Sequence, residues 1–286
     1  MRIGVFILPD RPWAEVRPQW ERAEELGFDH AWTFDHLVWG GLPNSQWFSC
    51  VPTLTAAATV TEKIGLGSFV ISPNFRHPVS LSREVESLID VSGGRFLAGL
   101  GVGGSPDDGV LGQEPLPVRQ RVDRFQEFVT LLDAALRDDH LTFDGEYYRA
   151  RDMRLAKGAV RDRVPLILAA NGPRSVRFAG RAGDGWVTTG THADTVDEWF
   201  DGVARNCRTL DEALVQRADP PADFRRYLSL SMCPESPIES PAAFDDAAGR
   251  AAELGFTDVM LGWPRDTEPY RGSERVLEQI AAAHLS

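Results

Sequence analysis

The sequence predicts an α/β protein of the (β/α)8 class, a parallel TIM barrel with insertion segments, and three observations carry that expectation. Short apolar runs alternate with amphipathic stretches along the whole chain, eight such strand-and-helix units can be counted, and 286 residues is a length that eight units fill. A doubly wound sheet is the competing reading. It carries a glycine fingerprint after its first strand, whereas the first strand here ends Leu8-Pro9-Asp10.

The elements follow in order. Arg2 to Leu8 reads as a strand and Ala14 to Leu26 as a helix closed by Gly27. His30 to Phe34 is the second strand, followed by a long loop through Gly40 and Gly41 and a helix from about Cys50 to Thr61. Ile64 to Ile71 is β-rich, and His77-Pro78 opens a helix that stops at Ser92-Gly93-Gly94, where glycine supplies a left-handed cap. Phe96 to Gly101 reads as a buried strand, then come a Gly/Pro/Asp loop and a helix from about Val118 to Arg137. Residues 138–162 break the rhythm with a small hairpin turning at Asp144-Gly145, and are read as an insertion in one barrel domain spanning 1–286. The remaining units are Val164 to Ala169 with Pro173 to Ala182, Gly185 to Thr189 with Ala193 to Leu214, Tyr227 to Met232 with Pro241 to Leu254, and Thr257 to Gly262 with Ser273 to Ala283.

Composition excludes several classes of function. Thirty basic against 42 acidic residues give a net charge of −12 with no basic run, which repels phosphate backbones and argues against nucleic acid as partner. Apolar stretches fall short of the roughly 20 residues that span a bilayer. The opening ten residues lack a cleavage-site pattern, so the chain reads as cytoplasmic, with no membrane partner. Cys50, Cys207 and Cys233 are scattered, and the six histidines show no HxH or HExxH spacing, so neither a disulfide framework nor a metal site is expected.

In a barrel, the chemistry sits on the loops after the strands. The second loop is the richest, with Asp35-His36 followed by Trp39 and Trp47: a carboxylate, an imidazole and two large rings, enough for a general acid/base against an aromatic wall, or for a structural pair packed on tryptophans. The fourth loop, Gly101-Val102-Gly103-Gly104-Ser105, exposes backbone N–H groups without Cβ obstruction. The fifth strand ends Ala169-Ala170-Asn171-Gly172-Pro173, with Asn171 or Gly172 as cap, proline in the first turn, and Arg174 and Ser175 as further donors; an ordinary capped helix or a phosphate site would both fit. Two anion-receptive loops on adjacent strands raise the phosphate reading above the other.

These segments resemble the bacterial luciferase-like superfamily of flavin and deazaflavin barrels, and more narrowly its branch that uses coenzyme F420. The carrying motifs are Ala23-Glu24-Glu25-Leu26-Gly27-Phe28-Asp29 before Asp35-His36, Ile64-Gly65-Leu66-Gly67, Arg76-His77-Pro78, Ser92-Gly93-Gly94-Arg95, Gly101-Val102-Gly103, and Asn171-Gly172-Pro173 with Ala182-Gly183-Asp184-Gly185. The resemblance implies that His36 and Asp35 lie at the reactive face of the coenzyme ring, with His36 managing the proton. It implies that Trp39 and Trp47 wall the substrate, and that a non-prolyl cis bond falls at Phe69-Val70, ahead of Ser72. It further implies that Gly103 and Gly104 and the segment Ala170, Asn171, Gly172, Pro173 and Arg174 bind coenzyme tail and phosphate. Several relatives carry a glutamate after the glycines where this chain has Asp107-Asp108, so either aspartate is a candidate for the missing acid, with Asp108 assigned to the substrate side.

The function implied is hydride transfer between bound F420 and a small organic substrate. Two alternatives stay open: a reduced-FMN monooxygenase of the same superfamily, served by a separate reductase, and a cofactor-free barrel that binds a phosphorylated ligand. Dimers are common among similar proteins, so the resemblance allows a homodimer, although the sequence itself carries no signal of assembly.

Overall fold

In the computed structural model, which describes residues 1–155 and 164–285, every strand expected from the sequence is found. The elements are β1 (Arg2–Phe6), α1 (Trp13–Glu25), β2 (His30–Thr33), α2 (Cys50–Ala58), β3 (Gly65–Ser68), α3 (Pro78–Ser92), β4 (Phe96–Leu100), α4 (Ser105–Val110) and α5 (Val118–Ala135). Next come the hairpin strands β5 (Leu141–Asp144) and β6 (Arg149–Met153), then β7 (Leu166–Ala169), α6 (Pro173–Ala182), β8 (Gly185–Thr188), α7 (Val196–Val215), β9 (Arg225–Ser229), α8 (Pro241–Glu253), β10 (Asp258–Gly262) and α9 (Glu274–His284). The strand order β1-β10-β9-β8-β7-β4-β3-β2 is that of a closed eight-stranded parallel barrel, and β5 pairs only with β6, antiparallel.

Contacts divide the chain into two compact units. One comprises Met1–Leu8, Pro18–Trp32 and Ile167–Ser286. Here β1 pairs in parallel with both β10 and β2, and β9 lies between β8 and β10. Trp20, Trp32, Trp186, Trp199 and Tyr227 are fully buried in its core. Gly4 makes room for the His30 ring, since a Cβ at that position would sit 1.9 Å from Nδ1. The ring is thereby drawn to the strand starts, where Arg2, His30 and Arg225 gather on the Asp258 carboxylate.

The other unit comprises Pro9–Arg17 and Thr33–Leu166. Arg95 ties two helix ends together, donating to the carbonyls of Ala58, Thr61, Ile64 and Ser92 and to the Thr61 hydroxyl. Glu127 on α5 accepts the N–H groups of Glu146, Tyr147 and Tyr148, which pins the hairpin turn to the helix.

Several boundaries depart from the sequence reading. The expected loop after β4 contains the helical turn α4; its Pro106 near the start and acidic Asp107 and Asp108 in the first turn are N-terminal helix signals hidden in loop-like composition. The second helix stops at Ala58, because Thr59 and Thr61 turn their hydroxyls back onto the carbonyls of Ala56 and Ala57. Strand β3 ends at Ser68, and pairing with β4 resumes at the single bridge between Ile71 and Leu100. Strand β9 ends at Ser229, whose hydroxyl accepts from the Ser231 N–H and turns Leu230–Met232 into a 3-10 helix. The later part of the expected insertion, residues 156–162, lies outside the described residues.

Among the described residues no helix is long and apolar enough to cross a membrane, and no group of three or more His, Cys, Asp or Glu could hold a metal ion.

Candidate active site

Beyond Thr33, strand β2 delivers Phe34, Asp35 and His36 in succession. Asp35 is buried and receives both sides of the Arg76 guanidinium, Nε on Oδ2 at 2.7 Å and Nη2 on Oδ1 at 2.8 Å. The third guanidinium nitrogen, Nη1, donates to Glu84 of α3 at 2.6 Å. Burial works against the Arg76 charge, but the two carboxylates outweigh it and hold the guanidinium above its ordinary value. Asp35 is therefore an anchored counter-ion whose two oxygens are already used. Nothing in Asp35-His36 or Arg76-His77 alone foretells that pair, although both segments carried the resemblance.

His36 Nδ1 lies 2.9 Å from Asp107 Oδ2. The other oxygen, Oδ1, accepts the N–H groups of Leu37 at 2.7 Å and Val38 at 3.3 Å. Burial favours a neutral Asp107, but the imidazole and these two amides outweigh it and hold the carboxyl below the usual carboxylate range. Asp107, one of the two candidates for the missing acid, is thus held on its carboxylate side by the imidazole and two backbone amides. Asp108 is equally buried, and its Oδ2 makes no hydrogen bond among the described residues.

Two aromatic rings flank the imidazole. Phe34 and Trp47 meet it edge-on with centroids 6.4 and 6.3 Å away. Phe34 also packs against Trp39 at 5.1 Å and Phe69 at 5.4 Å, and Trp39 tilts against Trp47 at 5.6 Å. His36, Trp39 and Trp47 are thus brought together as expected, with Phe34 and Phe69 added. The Phe69-Val70 peptide bond is cis, in agreement with the resemblance. Both residues are half-buried, whereas Ser72 is buried, with its hydroxyl 3.5 Å from the Asn74 N–H.

Gly103 has φ +83° and passes so close to Asn74 that a Cβ would lie 2.4 Å from Oδ1. Only glycine meets both demands. Asn74 Nδ2 donates to the Gly104 carbonyl at 2.7 Å, Arg124 to Asn74 Oδ1 at 3.0 Å, and Arg121 to the Gly103 carbonyl at 3.4 Å. No local signal in the sequence marks this scaffold of Asn74, Arg121 and Arg124, since the two arginines come from the following long helix, α5.

In the other unit, Gly172 is the N-cap of α6 and Pro173 opens the helix, with no side chain capping the first turn. Asn171 is not the cap. Its Oδ1 accepts from the Thr188 hydroxyl and the Thr189 N–H, and its Nδ2 donates to the Thr189 hydroxyl, so it joins the ends of β7 and β8. Ala170 is buried, its carbonyl accepting from Trp186 Nε1 at 2.9 Å, while Arg174 is exposed. A Cβ on Gly172 would meet nothing within 4 Å, so a side chain at this position has open space.

Known proteins share this chain's sequence and fold. An F420-dependent glucose-6-phosphate dehydrogenase of Intrasporangium calvum is 29% identical over 285 residues, covering 91% of this chain and 83% of that protein. An F420-dependent hydroxymycolic acid dehydrogenase of Mycobacterium tuberculosis is 32% identical over 268 residues, covering 92% of this chain and 69% of that protein. The solved structure of an F420-dependent secondary alcohol dehydrogenase, in complex with an F420-acetone adduct, superposes with a TM-score of 0.81 at 19% identity, covering 98% of this chain and 97% of that one. The model of the luciferase-like monooxygenase family matches residues 1–283, and the chain belongs to that family.

Proposed function

We propose that this protein is an oxidoreductase that exchanges a hydride between coenzyme F420 and a hydroxyl-bearing carbon of a small organic substrate. The observation that carries the reading is the His36 imidazole, held by Asp107 and met edge-on by Phe34 and Trp47, with Trp39 and Phe69 packed on Phe34, in a chain similar to F420-dependent dehydrogenases. The residues fit such a coenzyme. The aromatic cluster and the glycine loop at Gly103-Gly104 suit a flat ring, and the uncapped first turn of α6 suits a phosphate. When bound, the deazaflavin supplies a carbon that accepts or returns a hydride, which leaves one proton to the protein.

Each side chain then has a task. His36 takes the hydroxyl proton as the hydride leaves, or returns it in the reverse direction. Arg76 and Asp35 fix the strand end from which His36 projects. Trp39 and Trp47 exclude water and shape the substrate wall, and Asp108, with its unsatisfied oxygen, supports the substrate side.

Titration with oxidised F420, followed by quenching of its fluorescence, tests the reading. Saturable one-to-one quenching by F420 is expected, with oxidised FMN binding at least tenfold more weakly. Binding of FMN alone would overturn the proposal in favour of a reduced-flavin monooxygenase served by a separate reductase, and binding of neither would favour a cofactor-free barrel. Replacing Gly172 by phenylalanine adds a bulky side chain at the start of α6, where a Cβ meets nothing within 4 Å. F420 affinity should fall about tenfold, the equivalent of about 1.4 kcal/mol, with an unchanged melting temperature. Unaltered affinity would make the segment a helix start and nothing more.

A further inference from the structure

We propose that Asp107 is the positioning residue of His36: its carboxylate sets the imidazole tautomer, with the hydrogen on Nδ1, and leaves Nε2 as the nitrogen that exchanges the substrate's proton. The duty of Nε2 rests on the hydride-transfer reading above; the tautomer does not.

Two backbone N–H donors and one imidazole nitrogen converge on one buried carboxylate. The amides of Leu37 and Val38 occupy Oδ1, so the group cannot rotate, and Oδ2 is left facing Nδ1 at 2.9 Å. An ionised carboxylate only accepts hydrogen bonds, so Nδ1 must carry the hydrogen, and a neutral imidazole with its hydrogen there has its lone pair on Nε2. The same side chain fixes the backbone just beyond the ring. Phe34 and Trp47 meet the ring edge-on, so its tilt is set by packing while its tautomer is set by the carboxylate.

In the oxidative direction a bound deazaflavin would take the substrate's hydrogen together with the electron pair of its C–H bond, as a hydride. The O–H bond breaks with its proton passing to Nε2, and the carbonyl forms. The resulting imidazolium has its second N–H on Asp107, whose negative charge offsets the new positive one without moving. Orientation by Asp107 gives this short acid a different task from the proton-donating glutamate implied by the resemblance.

The test compares the wild type with Asp107→Asn. An asparagine Oδ1 can keep both backbone amides, but its NH2 then faces Nδ1 and demands an acceptor there, so the tautomer inverts. Two-bond proton–nitrogen correlation spectra of histidine-labelled protein at about pH 8, where a free imidazole is neutral, read the tautomer directly. The His36 signals are assigned by their loss in His36→Gln. The wild type should show the hydrogen on Nδ1, and Asp107→Asn should show it on Nε2. In that variant kcat should fall about 10²- to 10⁴-fold with F420 affinity unchanged. A wild-type spectrum with the hydrogen on Nε2 overturns the proposal, as does retention of the Nδ1 tautomer in a folded Asp107→Asn protein. If the variant does not fold, the wild-type spectrum still decides. The spectra need no coenzyme, so failure of F420 to bind would sink the hydride-transfer reading and leave the tautomer assignment standing.

Discussion

His36→Gln, which keeps a polar side chain against Phe34 and Trp47, should lower turnover by about 10²- to 10⁴-fold, the usual worth of a positioned acid or base. F420 affinity should change by less than about threefold. The asymmetry follows from where the contacts lie. The groups proposed to hold the coenzyme are backbone N–H groups at Gly103-Gly104 and in the first turn of α6, together with apolar rings, and none of them depends on the imidazole. A loss confined to the chemical step lowers kcat and kcat/KM together. Steady-state kinetics with an active hydroxyl compound, alongside fluorescence titration of the same variant, separate the two effects. Near-normal turnover would leave His36 as a ring packed between Phe34 and Trp47, and Asp108 would become the group to test next.

The parts of this site that could be read from sequence are the local ones. Asp35-His36 stands out because a carboxylate and an imidazole follow a short apolar strand, and the glycine segments stand out because only glycine leaves backbone groups so open. Helix α6 is bounded by proline at its start and glycine after its end, and its limits agree with those read from sequence, residue for residue. Glycine stops are equally plain at Gly27 and Gly93, both with positive φ. What could not be read is whatever depends on residues meeting across the fold. Asp107 is 71 positions from His36, and Arg76 is 41 from Asp35. No periodicity links such pairs, and an aspartate after Ser-Pro looks like loop solvation until α4 is seen. Asn74 presents the same difficulty: it resembles a turn residue, yet its amide bonds the Gly104 carbonyl and its oxygen accepts from Arg124.

The largest loss of stability is expected from Asp258→Asn, at the start of β10, far in sequence from every residue that it binds except Thr257. Asp258 is fully buried and accepts from Arg2 Nε at 3.0 Å, from His30 Nε2 at 2.9 Å and from the Thr257 hydroxyl at 2.6 Å, as well as from Arg225. The His30 tautomer is settled by Trp32, whose Nε1–H donates to Nδ1 at 2.6 Å, so the hydrogen of the neutral ring is on Nε2 and points at the carboxylate. Removing the charge leaves two guanidinium groups without their common partner; both keep part of their surface in water, but the carboxylate they share is fully buried, and losing the charge of a buried partner costs up to about 3–5 kcal/mol, a large share of a typical folding free energy. The pH dependence has a definite sign. Burial opposes ionisation of Asp258, but His30, Arg225 and Arg2 outweigh it and hold the carboxyl far below its ordinary range. Its contribution is therefore complete above about pH 3.9, the value in an unfolded chain, and is lost as the pH falls through the folded value. Burial depresses His30 in turn, so the neutral ring contributes fully above about pH 6.5 and progressively less as the pH falls through its folded value. Urea unfolding of both proteins at pH steps between about 8 and 3 should show a gap of about 3–5 kcal/mol at neutral pH that narrows on acidification, most steeply below about pH 3.9. A gap under about 1 kcal/mol, unchanged with pH, would mean that the two arginines are satisfied by solvent and that the cluster does not hold the strand starts together.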